Sequence, residues 1–375
     1  MEIRKSPKKI TIKQMKQHTK MRNVGIITWF CTPNYGSQLQ AYALNHVLSI
    51  QGNEVEFICF TKYPKLRRAI FHLPLRVQRI LSKYYHSKEW AFCSPWIKLH
   101  YIHYSEKEVP SVAHNFSTVI CGSDQIWAPN LYCPPYMLSF VPDEVNKVSY
   151  APSIGLNEIP ENLVEGYKKY VGRINHVSIR EDKGQEILKN QCGIDSTVVL
   201  DPTLLLSSQD WDAIKEIVKI DKPYLFCYFL RENHTYRKSV EKLAADKGLK
   251  IYGVSYNITD SEWMENLSVS NIGAGEFLGL ISGAAVVVTD SYHGTIFSML
   301  YHKDFVTLER FDKNDPICQN SRIHQLNKYF GIENNVFTVK EDTELSVNPV
   351  DYSNFENKIA QLREKSIAFL KNSLV

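Results

Sequence analysis

A chain of 375 residues is too long for one ordinary core and points to two domains of about 150–200 residues each. Its composition, 44% hydrophobic and 22% charged, excludes a disordered chain, and no apolar run approaches the roughly 20 residues of a membrane-spanning helix. The net charge of +4 is unevenly spread: residues 1–20 hold seven basic residues and one acid, Lys62 to Lys88 hold eight basic residues and no acid, and the rest is net acidic.

In chain order, residues 1–20 read as a disordered basic tail, or as residues ahead of a true start at Met21, which opens directly onto a strand. Residues 21–206 form a first Rossmann-like domain on the acceptor side, with strands expected at Val24–Trp29, Val55–Phe60, Thr118–Cys121, Val148–Ala151, Val177–Ile179 and Val198–Leu200. A basic insertion, 62–88, interrupts it. Within that insertion residues 66–81 interleave bulky apolar side chains with cations around Pro74, which suits an anionic membrane surface. A solvated helix packing its apolar stripe on its own domain is the plainer alternative. Nucleic acid is not expected, because no recognition motif accompanies the charge.

A polar stretch at 207–222, partly helical through Trp211, Ile214 and Val218, reads as a hinge. A second Rossmann-like domain on the donor side, 223–350, has strands expected at Tyr224–Leu230, Lys250–Val254, Ala285–Thr289 and Phe305–Leu308. Residues 351–375 close the chain with an amphipathic helix striped by Phe355, Ile359, Leu362, Ile367, Leu370 and Leu374. The fold class is therefore α/β, two doubly wound domains in a glycosyltransferase-B-like arrangement with a C-terminal amphipathic helix. Eight scattered cysteines without zinc spacing read as reduced core residues, and with no signal peptide the expected location is the cytoplasm. No ligand cluster calls for a metal.

In open α/β sheets, ligands bind beyond the carboxyl ends of the strands, and four motifs lie there. Asn34-Tyr35-Gly36-Ser37-Gln38 runs from the first strand into a helix that Ser37 can cap, and its backbone N–H groups suit an anion or a sugar hydroxyl; Asn34, Tyr35, Gly36 and Gln38 are candidate acceptor contacts. In Gly122-Ser123-Asp124-Gln125-Ile126-Trp127, Asp124 can take a proton from an attacking hydroxyl and Trp127 can stack on a sugar face. Ser178-Ile179-Arg180-Glu181-Asp182 offers a guanidinium for a carboxylate or phosphate, ahead of a helix that Asp182 can cap. Asp290-Ser291-Tyr292-His293-Gly294-Thr295 delivers Ser291, His293 and Thr295 to a helix start, where Gly294 lets backbone approach a ligand. Arg310 and Arg322 are basic supplements.

Taken in register with Leu200-Asp201-Pro202-Thr203, these motifs resemble the polysaccharide pyruvyl transferase family from about Val24 to Tyr329. The resemblance implies transfer of a pyruvyl group from phosphoenolpyruvate to two hydroxyls of a sugar or lipid-linked oligosaccharide, forming a pyruvate ketal in cell-surface polysaccharide synthesis, with phosphoenolpyruvate as co-substrate and no cofactor. It implies His293 as the general acid toward the methylene carbon, and Arg180 with the basic residues near the His motif as the donor clamp. The chain departs from the family pattern at Ser291, where an arginine is common, so Arg322 or Arg310 is expected to supply that charge. Two other readings compete: a glycosyltransferase with a nucleotide-sugar donor, and a non-enzymatic assembly protein peripheral to the inner face of the membrane.

Overall fold

The computed structural model describes residues 23–30, 34–60, 101–104, 107–221, 223–230, 234–255, 264–267, 272–312, 315, 318–340 and 343–374; the basic tail 1–20 and the amphipathic segment 66–81 lie outside them. Two stretches of alternating strand and helix each build one parallel sheet. The first contains β1 (Asn23–Ile27), β2 (Glu54–Phe60), β3 (Tyr101–Tyr104), β4 (Thr118–Cys121), β5 (Asn146–Ser149), β6 (His176–Ile179) and β7 (Thr197–Val198), in the order β3-β2-β1-β4-β5-β6-β7. The second contains β8 (Tyr224–Phe229), β9 (Lys250–Ser255), β10 (Glu265–Asn266), β11 (Val286–Thr289), β12 (Asp304–Leu308) and β13 (Val336–Phe337), in the order β10-β9-β8-β11-β12-β13. Each order reverses once, between β1 and β4 and between β8 and β11, and such a switch point opens a crevice at the strands' carboxyl ends. Ile27 lies opposite Cys121, and Thr289 opposite Tyr228, so the loops at each crevice leave their sheet level with one another.

Central parallel strands are covered on both faces and so read as unbroken apolar runs. All six residues of β8 and all four of β11 are buried. The pattern did not foretell β3, β10 or β13, which lie at sheet edges; β10 and β13 are two residues each, too short to show a period.

The helices are α1 (Tyr35–Ile50), α2 (Val109–Ala113), α3 (Glu161–Val171), α4 (Asp182–Ile187), α5 (Ser208–Asp212), α6 (His234–Lys247), α7 (Ala274–Gly283), α8 (Tyr292–Leu300), α9 (Ser321–Phe330) and α10 (Tyr352–Ser373). None of them is long and apolar enough to cross a membrane. The cysteines among the described residues are free; Cys121, Cys192, Cys227 and Cys318 are buried, whereas Cys59 and Cys133 are half-buried.

One apolar cluster runs through both halves. Tyr35 stacks on Phe277 with ring centroids 4.7 Å apart, and its hydroxyl donates to Ile272 O at 2.9 Å. In the segment 207–222, α5 carries a capping box between Ser207 and Asp210, and Trp211 is fully buried with its ring edge-on to Phe297 at 5.1 Å.

The C-terminal helix straps the two sheets together. At its start the Tyr352 hydroxyl donates to Lys303 O, just ahead of β12, and Phe355 packs on Phe330 of α9. Further along, Ser366 Oγ accepts from Leu200 N, Arg363 donates to Leu204 O and Leu206 O, and Ser373 O accepts from Asn146 of β5. Phe355, Ile359, Leu370 and Leu374 of the expected stripe are buried, with Leu362 and Ile367 packed beside them.

Candidate functional site

Both switch points converge on one carboxylate, that of Asp201. It follows β7 in the first half and caps the short turn Pro202–Leu205, its Oδ1 accepting from Thr203 N at 3.0 Å and Thr203 Oγ1 at 2.7 Å. Its Oδ2 accepts from Arg180 Nη1 at 2.8 Å and Ser123 Oγ at 3.2 Å, and lies 3.5 Å from His293 Nε2. Arg180 and Ser123 come from the first half and His293 from the second. Burial would raise the Asp201 carboxyl, but His293, Arg180 and the Thr203 N–H outweigh it and hold the group well below the usual carboxylate range. Sequence reasoning quoted Asp201 as part of a motif and gave it no role. Its signal was present as an Asp-Pro at a strand end, a pattern that usually marks a turn.

Arg180 leaves β6 buried, against Tyr292 of α8, with its guanidinium carbon 4.6 Å from the ring centroid; Arg322 of α9 lies over the same ring at 5.9 Å. Burial opposes the Arg180 charge, while Tyr292, Asp201, Glu181 and Asp124 favour it and raise the group above its ordinary value. Arg322 has the opposite balance: burial, then the like charges of Arg180 and Arg310, push it down to about 9. Arg322 Nη2 donates to Gln319 Oε1, which also accepts from Gln125 Nε2 of the first half at 2.9 Å. Glu181 is buried rather than at the surface. Its Oε1 accepts from Ser153 Oγ, Ile154 N and Gly155 N, and its Oε2 lies 3.8 Å from Arg180 Nε.

Around this cluster, Arg180 Nε and Nη2, Arg310 Nε and His293 Nε2 are buried without a hydrogen-bond partner among the described residues. Buried donors are ordinarily paired, so two guanidiniums and an imidazole with unused hydrogen-bonding capacity are suited to an anion.

Asp124 lies at a left-handed backbone position (φ 69°), which aspartate tolerates, and this turns its carboxylate toward α1. Oδ2 accepts from Ser37 Oγ at 2.5 Å and Oδ1 from Gln125 N at 2.9 Å. Ser37 therefore does not cap α1; Asn34 does, its Oδ1 accepting from Gly36 N and Ser37 N. Gly36 is required by a close approach: a Cβ there would lie 2.1 Å from His293 Nδ1. Asp182 likewise is not the cap of α4 but its first residue, and it binds Gln325 Nε2 and Lys328 Nζ across the two halves.

Several expected ligand contacts are structural instead. Trp127 is wholly buried, its Nε1 donating to Tyr136 O at 3.0 Å, so neither ring face is open to a sugar. Tyr35 is locked into the seam between the sheets, and Gln38 is buried in α1, its N–H donating to Asn34 O. Ser291 caps α8 through Gly294 N, and the Thr295 hydroxyl is engaged by Ser291 O and Thr307 Oγ1. At Gly294 a Cβ would meet Thr289 Oγ1 at 2.4 Å, so close packing inside the fold already requires a glycine there. Among the described residues no group of three or more His, Cys, Asp and Glu side chains could hold a metal ion.

A family model described as polysaccharide pyruvyl transferase matches residues 34–312, which takes in every residue of the cluster except Gln319 and Arg322. No curated protein matches the chain. Among solved structures, the fold is similar to UDP-GlcNAc 2-epimerase from Methanocaldococcus jannaschii, with 11% identity, TM-score 0.53 and 92% of each chain covered. It is similar also to UDP-N-acetylglucosamine 2-epimerase from Rickettsia bellii, with 9% identity, TM-score 0.51, and 94% of this chain and 97% of that one covered. These likenesses show the fold, two Rossmann-like halves in the glycosyltransferase-B-like arrangement.

Proposed function

The chain belongs to the polysaccharide pyruvyl transferase family, a family of transferases, and we propose that it transfers a pyruvyl group from phosphoenolpyruvate to two hydroxyls of a sugar, giving a cyclic ketal and inorganic phosphate. The observation that carries this reading is the set of unpaired donors on Arg180, Arg310 and His293 beside Tyr292 and Arg322. Phosphoenolpyruvate carries a carboxylate and a phosphate on a three-carbon frame, and planar guanidiniums are suited to both groups. With Ser291 committed to capping α8, Arg322 and Arg310 are the cations left to complete the clamp with Arg180.

In this reading His293 gives its proton to the methylene carbon as the first sugar hydroxyl bonds to the adjacent carbon. Asp124 receives that hydroxyl's proton through Ser37, whose Oγ already bonds to it. The second hydroxyl then displaces phosphate; its proton restores His293, and the proton held by Asp124 leaves with the phosphate. The reaction requires no cofactor. The acceptor is a cell-surface glycan precursor, lipid-linked if the cationic, apolar pattern at 66–81 brings the protein to the inner face of the membrane.

The test incubates the purified protein with phosphoenolpyruvate and a panel of sugar and lipid-linked acceptors. It follows phosphate release together with the product's mass, and melting temperature with each donor. Phosphate release that depends on acceptor, with a ketal-bearing product, is the expected result. A melting temperature that rises with nucleotide sugars and not with phosphoenolpyruvate would overturn the reading in favour of a glycosyltransferase.

A further inference from the structure

The backbone on both sides of Asp201 is held by a helix that contributes nothing to the site itself. Leu200 N donates to Ser366 Oγ of α10 at 3.0 Å. On the other side, Arg363 Nε donates to Leu204 O at 2.6 Å and its Nη2 to Leu206 O at 2.9 Å. Asp201 itself is 1% exposed, and its Oδ2 meets Arg180 from one half and His293 from the other. Burying an ionised carboxylate between two potential cations is unfavourable unless geometry is fixed around it, and here every oxygen has a donor.

We infer that Asp201 is a positioning residue, which brings the Arg180 guanidinium and the His293 imidazole to one point, and that α10 sets its place through Ser366 and Arg363. The kinetic part rests on the proposed reaction; the structural part does not. A displacement of about 1 Å at a reacting group is enough to lower a rate about 10²-fold, so the effect is expected in turnover more than in donor affinity.

The experiment compares Asp201→Asn, His293→Ala and the double variant, with Arg363→Ala as a fourth chain that leaves every group of the site intact. With phosphoenolpyruvate and acceptor, Asp201→Asn should lower kcat about 10²-fold while the donor Kd from calorimetry changes by no more than about threefold. In the His293→Ala background the same substitution should cost at least tenfold less in kcat, because the part of its effect that passes through His293 is already lost and only the hold on Arg180 remains. Arg363→Ala should lower kcat at least threefold, again by less when His293 is absent. Additive losses, or parallel losses of kcat and donor affinity, would overturn the inference and leave Asp201 a structural charge. Crystal structures of Asp201→Asn and Arg363→Ala supply the arm that needs no substrate. Arg180 and His293 should move apart by about 1 Å or more in either, and unchanged positions in both would overturn the inference even if the parent proves to use another donor.

Discussion

The two switch points use similar backbone and end in opposite states of satisfaction. Between β1 and β4 the polar groups close on one another: Asn34 caps α1, Ser37 binds Asp124, and Gln40 joins Thr28, Trp29 O, Ser37 O and the Ser123 N–H. Between β8 and β11, Ser291 caps α8 and Asp290 accepts from Leu230 N, yet His293 Nε2 beside them has no hydrogen bond among the described residues. The first crevice is a finished frame; the second carries the unused valence. In the proposed reading the proton comes from the second crevice through His293, and the charge from Arg180 beyond β6 with Arg310 beyond β12.

The strongest way to break that contrast is to remove the proposed proton carrier. His293→Ala should lower turnover about 10²–10⁴-fold while calorimetry finds donor affinity changed far less, since the guanidiniums remain; near-parental kcat would move the acid elsewhere. Gly36→Ala acts from the frame side. The new methyl must displace the His293 ring, so kcat should fall about 10²-fold with a small change in melting temperature, and unchanged kinetics would show that the contact between the crevices has no consequence.

Arg180→Ala tests the link between them. It should weaken donor binding about 10–100-fold, and it should destabilise the fold by about 3–5 kcal/mol, because Asp201 and Glu181 lose the guanidinium buried between them. A variant with parental melting temperature would mean that those carboxylates are not held as charges.

A smaller effect concerns pH. The Asp201 carboxyl is depressed in the folded protein, so its ionised form contributes stability that is complete above the ordinary aspartate value of about 3.9 and is lost as pH falls below it. Asp201→Asn lacks that titration, and its melting temperature should depend less on pH than the parent's below about pH 4. The smallest expected change is Trp127→Phe, which leaves Tyr136 O without its donor at about 1–3 kcal/mol and should not alter acceptor KM.

Much of the fold was legible because buried parallel strands announce themselves: Val286–Thr289 and Tyr224–Phe229 carry no charged or amide side chain to interrupt them. Their carboxyl ends then directed attention to His293, Arg180 and Asp124. Asp201 escaped because its importance lies in partners 21, 78 and 92 positions away, which no local pattern encodes. Trp127 was misread for a related reason: a tryptophan after a polar turn has the same sequence whether its ring meets a ligand or Tyr136 O. The cap of α1 could be read either way, since Asn34 and Ser37 both suit an N-cap, and only the reach of Asp124 toward Ser37 decides between them.

The hold of α10 on the Asp201 loop also has a meaning in biosynthesis. The segment 200–206 leaves the ribosome well before Arg363 and Ser366, its partners 157 to 166 positions later. During synthesis the first half can complete its sheet while the loop that joins Arg180 to His293 still lacks its backbone anchors. The order of translation thus supplies these anchors last, and a chain interrupted before residue 363 carries the residues of the site without the three hydrogen bonds that hold the Asp201 loop to α10.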